Sequence, residues 1–129
     1  MSDNMEFEHV TSNAAVATFN SSGDIFEGLL KEVRELSKKK SEATMSASKV
    51  RLINRVLEDL LTILKDEPSG KYLEVLNDED LPQMSDAVLT IVQFETARAS
   101  FRSLYRKYMW GAYYWITDEQ IAEWQAVEE

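Results

Sequence analysis

Apolar residues recur at helical spacing over most of this chain, and that pattern sets the expected architecture. From residue 85 to 116, Val88, Ile91 or Val92, Phe94, Phe101, Tyr105, Tyr108 and Ala112 share a face. They predict one long helix, capped by Ser85 or Asp86, against which the other elements pack. Gly111 either ends it or sits inside it, there at a cost of about 1 kcal/mol relative to alanine. A second helix is expected over 24–39, from Ile25, Phe26, Leu29, Leu30, Val33 and Leu36. Asp24 and Glu27 form something close to a capping box at its start. A third opens at Ser46 or Ser48 and carries Val50, Ile53, Leu57, Leu60 and Leu64. Val56, Leu61 and Ile63 widen its stripe beyond a coiled-coil seam, and Pro68 bounds it.

Two short helices complete the reading. One covers 71–76, with Tyr72, Leu73, Val75 and Leu76. The other covers 118–126, where Thr117 caps, Gln120 follows three residues later, and Ile116 and Ile121 form a hydrophobic staple. Residues 5–10 alternate apolar and polar like a strand, and residues 14–19 suit a second strand or a helical turn. Asn20, Ser21, Ser22 and Gly23 break the pattern after them. The expectation is an all-α, single-domain bundle over 24–129, with three main and two short helices. Residues 1–23 form an arm that is either irregular or a β-hairpin.

Composition narrows the function classes. With 129 residues the chain is long enough for a core of its own, and it has no cysteine for disulfides or thiolate metal sites. Its start is acidic where a secretion signal is basic then apolar, and no apolar run reaches the roughly 20 residues of a membrane helix. A soluble cytoplasmic protein is expected. The net charge of −9 argues against general nucleic-acid binding. Acids dominate residues 3–27, 66–80 and the stretch after Thr117; bases gather at 31–55 and 98–107.

Enzyme chemistry finds little support. The single histidine, His9, writes neither a multi-histidine metal site nor an ordered nucleophilic triad. No phosphate-binding or dinucleotide fingerprint is present, and Ser69-Gly70-Lys71 is a common turn before it is an anion loop. The carboxylate pairs Glu32/Glu35 and Glu58/Asp59 sit among cations on solvated helix faces. No catalytic residue, metal or cofactor is expected.

Two basic clusters and an aromatic run are the candidate binding residues. Antiparallel packing of consecutive helices would bring Lys38, Lys39 and Lys40 close to Lys49, Arg51 and Arg55, a possible anion site. Arg98, Arg102 and Arg106 are spaced four apart, a row on the long helix that suits carboxylate or phosphate, or ion pairs with neighbouring acids. Beside it, the run from residue 108 to 115 holds Trp110, Tyr113, Tyr114 and Trp115, residue types enriched in interface hot spots. On a helix these aromatics point around all sides, so one packing face cannot bury them all. The expected function is a small non-enzymatic interaction protein: an inhibitor, adaptor or assembly factor, a kind associated with phages and mobile elements. It would bind a protein partner or itself through Arg98, Arg102, Arg106, Trp110, Tyr113 and Tyr114, with no membrane and no nucleic acid. The alternative is an anionic small molecule or nucleic-acid end held by the arginine row with aromatic stacking.

Overall fold

The computed structural model describes residues 7–128. The chain is mostly helical (66%), with four α-helices and a two-stranded antiparallel sheet among the described residues. In order these are α1 (Asn13–Lys39), α2 (Ala47–Leu64), α3 (Met84–Tyr105), β1 (Arg106–Met109), β2 (Ala112–Trp115) and α4 (Asp118–Glu128), with a 3₁₀ turn at Pro68–Gly70. No helix among them is long and apolar enough to cross a membrane.

Helix α1 starts eleven residues before the expected boundary at Asp24. Ser12 is its N-cap, its hydroxyl accepting from the Ala15 amide at 3.1 Å. The expected break at residues 20–23 and the hairpin before it are both corrected. Residues 14–19 are helical, and Phe19, Ser22, Gly23, Phe26, Leu30 and Val33 form one buried stripe. Of the polar quartet, Asn20 and Ser21 stay exposed, Gly23 faces Arg98 of α3, and Ser22 turns inward and donates to the Thr18 carbonyl at 2.7 Å. Of the expected first strand, Met5 and Glu6 lie outside the described residues, and residues 7–10 form no strand. The arm is instead tied down at Thr11. Its amide donates to the Ile116 carbonyl (3.0 Å), and its carbonyl accepts from the Asp118 amide (3.1 Å).

Helix α2 has the expected stripe, with Val50, Ile53, Leu57, Leu60 and Leu64 all buried. Ser46 caps it. Residues 71–76 are not a helix. The Asn54 amide donates to the Leu76 carbonyl (2.8 Å) and its oxygen accepts from the Leu76 amide (2.9 Å). This two-way bond pins the segment to α2 as an irregular strap, a long-range contact invisible to local periodicity. Gly70 closes the turn before it, with no room for a side chain: a Cβ there would lie 1.7 Å from the Leu64 carbonyl oxygen. Its amide is committed to the Glu67 carbonyl at 2.9 Å, so residues 69–71 serve as a turn.

The largest correction is the long helix. It ends at Tyr105, and the chain turns into a β-hairpin in the register Arg106↔Trp115, Lys107↔Tyr114, Tyr108↔Tyr113, Met109↔Ala112. Trp110 (φ 52) and Gly111 (φ 84) make the two-residue turn, and positive φ at both positions matches the right-handed twist of the strands. α3 buries Met84, Ala87, Ile91, Phe94, Ala97, Arg98, Phe101 and Tyr105 against α1 and α2. Gln83 precedes the helix as N-cap, without a side-chain bond from Ser85 or Asp86. Thr117 does cap α4, accepting from the Gln120 amide at 3.0 Å. It also donates to Asn13 at 2.7 Å, so the starts of α1 and α4 hold each other.

Candidate functional site

The site residues fall at the junction of α3 and the hairpin. Successive residues of a strand point to opposite faces, so the register sorts the aromatic run into two sets. Arg106, Tyr108, Tyr113 and Trp115 share one face. Lys107, Met109, Ala112 and Tyr114 share the other. On the second face Tyr114 meets Trp124 of α4 at 5.4 Å between ring centroids, and Trp110 at the turn meets Trp124 at 5.2 Å. Edge-on contacts of this kind favour the ring quadrupoles, and they leave Tyr114 half-buried.

On the first face Trp115 lies at the base, against Phe19 (5.2 Å) and Phe101 (6.0 Å) of the core. Tyr108 and Tyr113 stand further out, in a T-shaped pair at 5.1 Å, and remain 64% and 62% exposed. The Arg106 guanidinium lies over Tyr113 (5.2 Å) and Trp115 (5.8 Å). Together with Ala99, Arg102 and Ser103 of α3, Arg106 and Tyr113 line an open groove of about 440 Å³. Lys107 is drawn back onto the helix, donating to the Ser103 carbonyl at 3.0 Å.

The expected arginine row is not one exposed row on a helix, although Arg102 shares one recess with Arg98 and another with Arg106. Arg106 is on a strand, Arg102 is exposed on the helix, and Arg98 is 5% exposed inside the fold. Position 98 falls four residues after Phe94 and three before Phe101, on the helix's own buried stripe. Its guanidinium covers Phe19 (4.5 Å) and Phe26 (5.2 Å), with Glu27 at 4.0 Å, and its Nε has no hydrogen-bond partner. Burial lowers its pKa, Arg102 adds to that effect, and the charges of Glu27 and Glu95 oppose it. Gly23 makes room for it, since a Cβ there would meet Arg98 Nη2 at 2.9 Å. Arg98 therefore belongs to the packing of α1 on α3 and presents no fork to a partner. Its position between two buried aromatics on the heptad was the signal that sequence reading passed over.

The other basic cluster is divided as well. Lys38 pairs with Glu35 at 3.2 Å and lines a recess with Glu27, Arg34 and Glu95, toward α3. Arg55 lines a different recess with Ser21, Ile25 and Asp59, toward α1. Lys39, Lys40, Lys49 and Arg51 are exposed and line neither. Lys38 and Arg55 therefore line different recesses and do not share one.

His9 lies edge-on to Tyr105 at 6.5 Å, and among the described residues no three His, Asp or Glu side chains converge as metal ligands. Tyr105 itself donates to both oxygens of Glu67, at 2.8 and 2.9 Å. Burial pushes its pKa up to about 12, helped by that hydrogen bond and the Glu67 charge. Set against known proteins, the chain matches no family model, no curated protein and no solved structure.

Proposed function

We propose that the protein is a non-enzymatic interaction module whose contact surface is the outer hairpin: Tyr108 and Tyr113 on one face, with Arg102 and Arg106 beside them, and Trp110 at the tip, where its ring leans toward Tyr114 and Trp124 on the other face. The observation that carries this reading is Trp110. It is 68% exposed and holds φ 52, a left-handed conformation that costs a bulky residue about 1–2 kcal/mol and suits asparagine or glycine far better. Inside the fold the ring makes edge-on contacts with Tyr114 (5.9 Å) and Trp124 (5.2 Å), which leave most of it open, and that open part is what a partner can reach. Tyrosine, tryptophan and arginine side by side are also the composition of binding hot spots. Of the residues expected from sequence, Arg102, Arg106, Trp110 and Tyr113 remain in the surface; Arg98 leaves it, Tyr114 supports it from behind, and Tyr108 joins it.

The test is site-specific photo-crosslinking in the native host. A crosslinking side chain at position 110 or 113 should capture one discrete partner protein, and the same group at Tyr72, which is 79% exposed, should not. Tyr113→Ala should abolish capture while leaving the melting temperature within about a degree, as exposed substitutions do. A large melting loss with unchanged capture would defeat the proposal.

A further inference from the structure

The geometry points to an acidic protein segment, carrying aspartate or glutamate side chains, as the occupant of the groove between α3 and the hairpin. This inference rests on the interaction reading above and names the chemistry of the partner. Its first support is a local imbalance of charge. The chain is acidic overall, yet Arg102 and Arg106 line the groove with Ala99, Ser103 and Tyr113, without a carboxylate among the lining residues. Neither arginine has an ion pair among the described residues, whereas Arg34, Lys38 and Arg98 have Glu95, Glu35 and Glu27. Fixed cations in a concave wall favour a small anion by field focusing.

The second support is how the guanidinium is held. The Arg106 guanidinium carbon lies over the Tyr113 and Trp115 rings, which holds the group at the groove, and its N–H edge has no carboxylate partner among the described residues. A carboxylate satisfies such an edge through two parallel hydrogen bonds. Arg102 likewise stacks over Phe19, at 5.4 Å. The same stacking makes a nucleobase a poorer occupant, because Arg106 already takes one face of Tyr113 and lies over Trp115 at the base of the groove. Tyr108 lies edge-on to Tyr113, and Trp115 is packed on Phe19 and Phe101. A long polyanion would also meet the field of a chain whose net charge is −9, whereas a short segment feels the groove within a screening length of about 8–10 Å.

A second copy is a poorer occupant. Its exposed acidic turn at residues 77–80 has the right charge, but docking there joins two different surfaces, a heterologous contact that propagates as open chains unless the rotation closes a ring.

The experiment is fluorescence anisotropy with a labelled decapeptide of alternating glutamate and serine, its glutamine counterpart, and a ten-residue oligothymidylate. The glutamate peptide should bind and the glutamine peptide should not. Arg102→Gln and Arg106→Gln should each weaken binding about tenfold, the scale of a charge-assisted hydrogen bond. Arg106→Lys should lose as much, since an ammonium has no planar fork. A Lys49→Gln/Arg51→Gln variant, which removes more charge elsewhere, should stay within about twofold. Equal binding of the glutamine peptide, or equal loss in the Lys49/Arg51 variant, would overturn the inference. So would tighter binding of the oligothymidylate, or self-association that Arg106→Gln abolishes, which assign the groove to nucleic acid or to a second copy. If the glutamate peptide fails while crosslinking at position 113 still captures a partner, acidic specificity falls and the interaction surface stands; loss of both defeats both.

Discussion

At the scale of single residues, Arg98 and Tyr105 show the same seam of α3 accepting polar groups on opposite conditions. Arg98 enters the core with an aromatic lining in place of full hydrogen bonding, and its charge is offset at 4.0 Å by one exposed glutamate. Tyr105 enters fully paired, its hydroxyl bonded to Glu67 from the loop after α2. The second arrangement makes a pH prediction. The folded phenol keeps its proton up to about pH 12, while an unfolded tyrosine releases it near 10.0. Between those values the unfolded state holds fewer protons, so stability falls as pH rises. The contribution is complete below pH 10 and lost by about pH 12. Tyr105→Phe should destabilise the protein by about 1–3 kcal/mol at neutral pH, the cost of a hydrogen bond to a charged group. The gap in melting temperature between the two proteins should then close between pH 10 and 12. Comparing them removes the lysine titration common to both, and a gap that stays constant would show that the Glu67 bond does not hold the proton.

Among the elements, what was legible is what local periodicity governs. The stripe of α2, the cap at Thr117 and the apolar face of residues 25–36 are fixed by neighbours three and four positions apart. The start of α1 was obscured because Ser22 and Gly23 look like a turn until Ser22 is bonded back to Thr18 and Arg98 of α3 is placed over Gly23. The strap at 71–76 depends on Asn54, more than twenty residues away in sequence. The hairpin was misread because aromatic residues in a run satisfy a helical face and an alternating strand alike. The discriminating signal was Gly111 between two aromatic-rich runs, a turn dipeptide flanked by strand formers. Its substitution separates the two structures by sign. Inside a helix, Gly111→Ala would stabilise by about 1 kcal/mol. In the turn, where Gly111 has φ 84, alanine should cost about 1–2 kcal/mol and lower the melting temperature by several degrees. A rise in melting temperature would restore the long helix and remove the site's geometry.

For the whole molecule, the distribution of charge decides which partners are compatible. The basic residues are spread over several recesses: Arg102 and Arg106 line the groove at the hairpin, while Lys38 and Arg55 line separate recesses along α1. Binding of duplex DNA needs several phosphates neutralised together, with affinity falling steeply as salt displaces that contribution. Here each basic recess is small, and three of the four contain carboxylates: Glu27, Glu35 and Glu95 in one, Glu58 and Asp59 in another, and Glu27 and Glu95 in the one that holds Arg98 and Arg102. Beyond a screening length the duplex meets a chain of net charge −9. The expected result is no measurable binding to a random-sequence duplex at physiological salt, read by electrophoretic shift or anisotropy. Lowering the salt should leave at most a weak association, reduced by Arg102→Gln as well as by Lys49→Gln/Arg51→Gln because it is nonspecific. Tight binding with a steep salt slope, lost with Arg106→Gln alone, would mean that the phosphate backbone, and not a protein carboxylate, is what the stacked guanidinium has been positioned to meet.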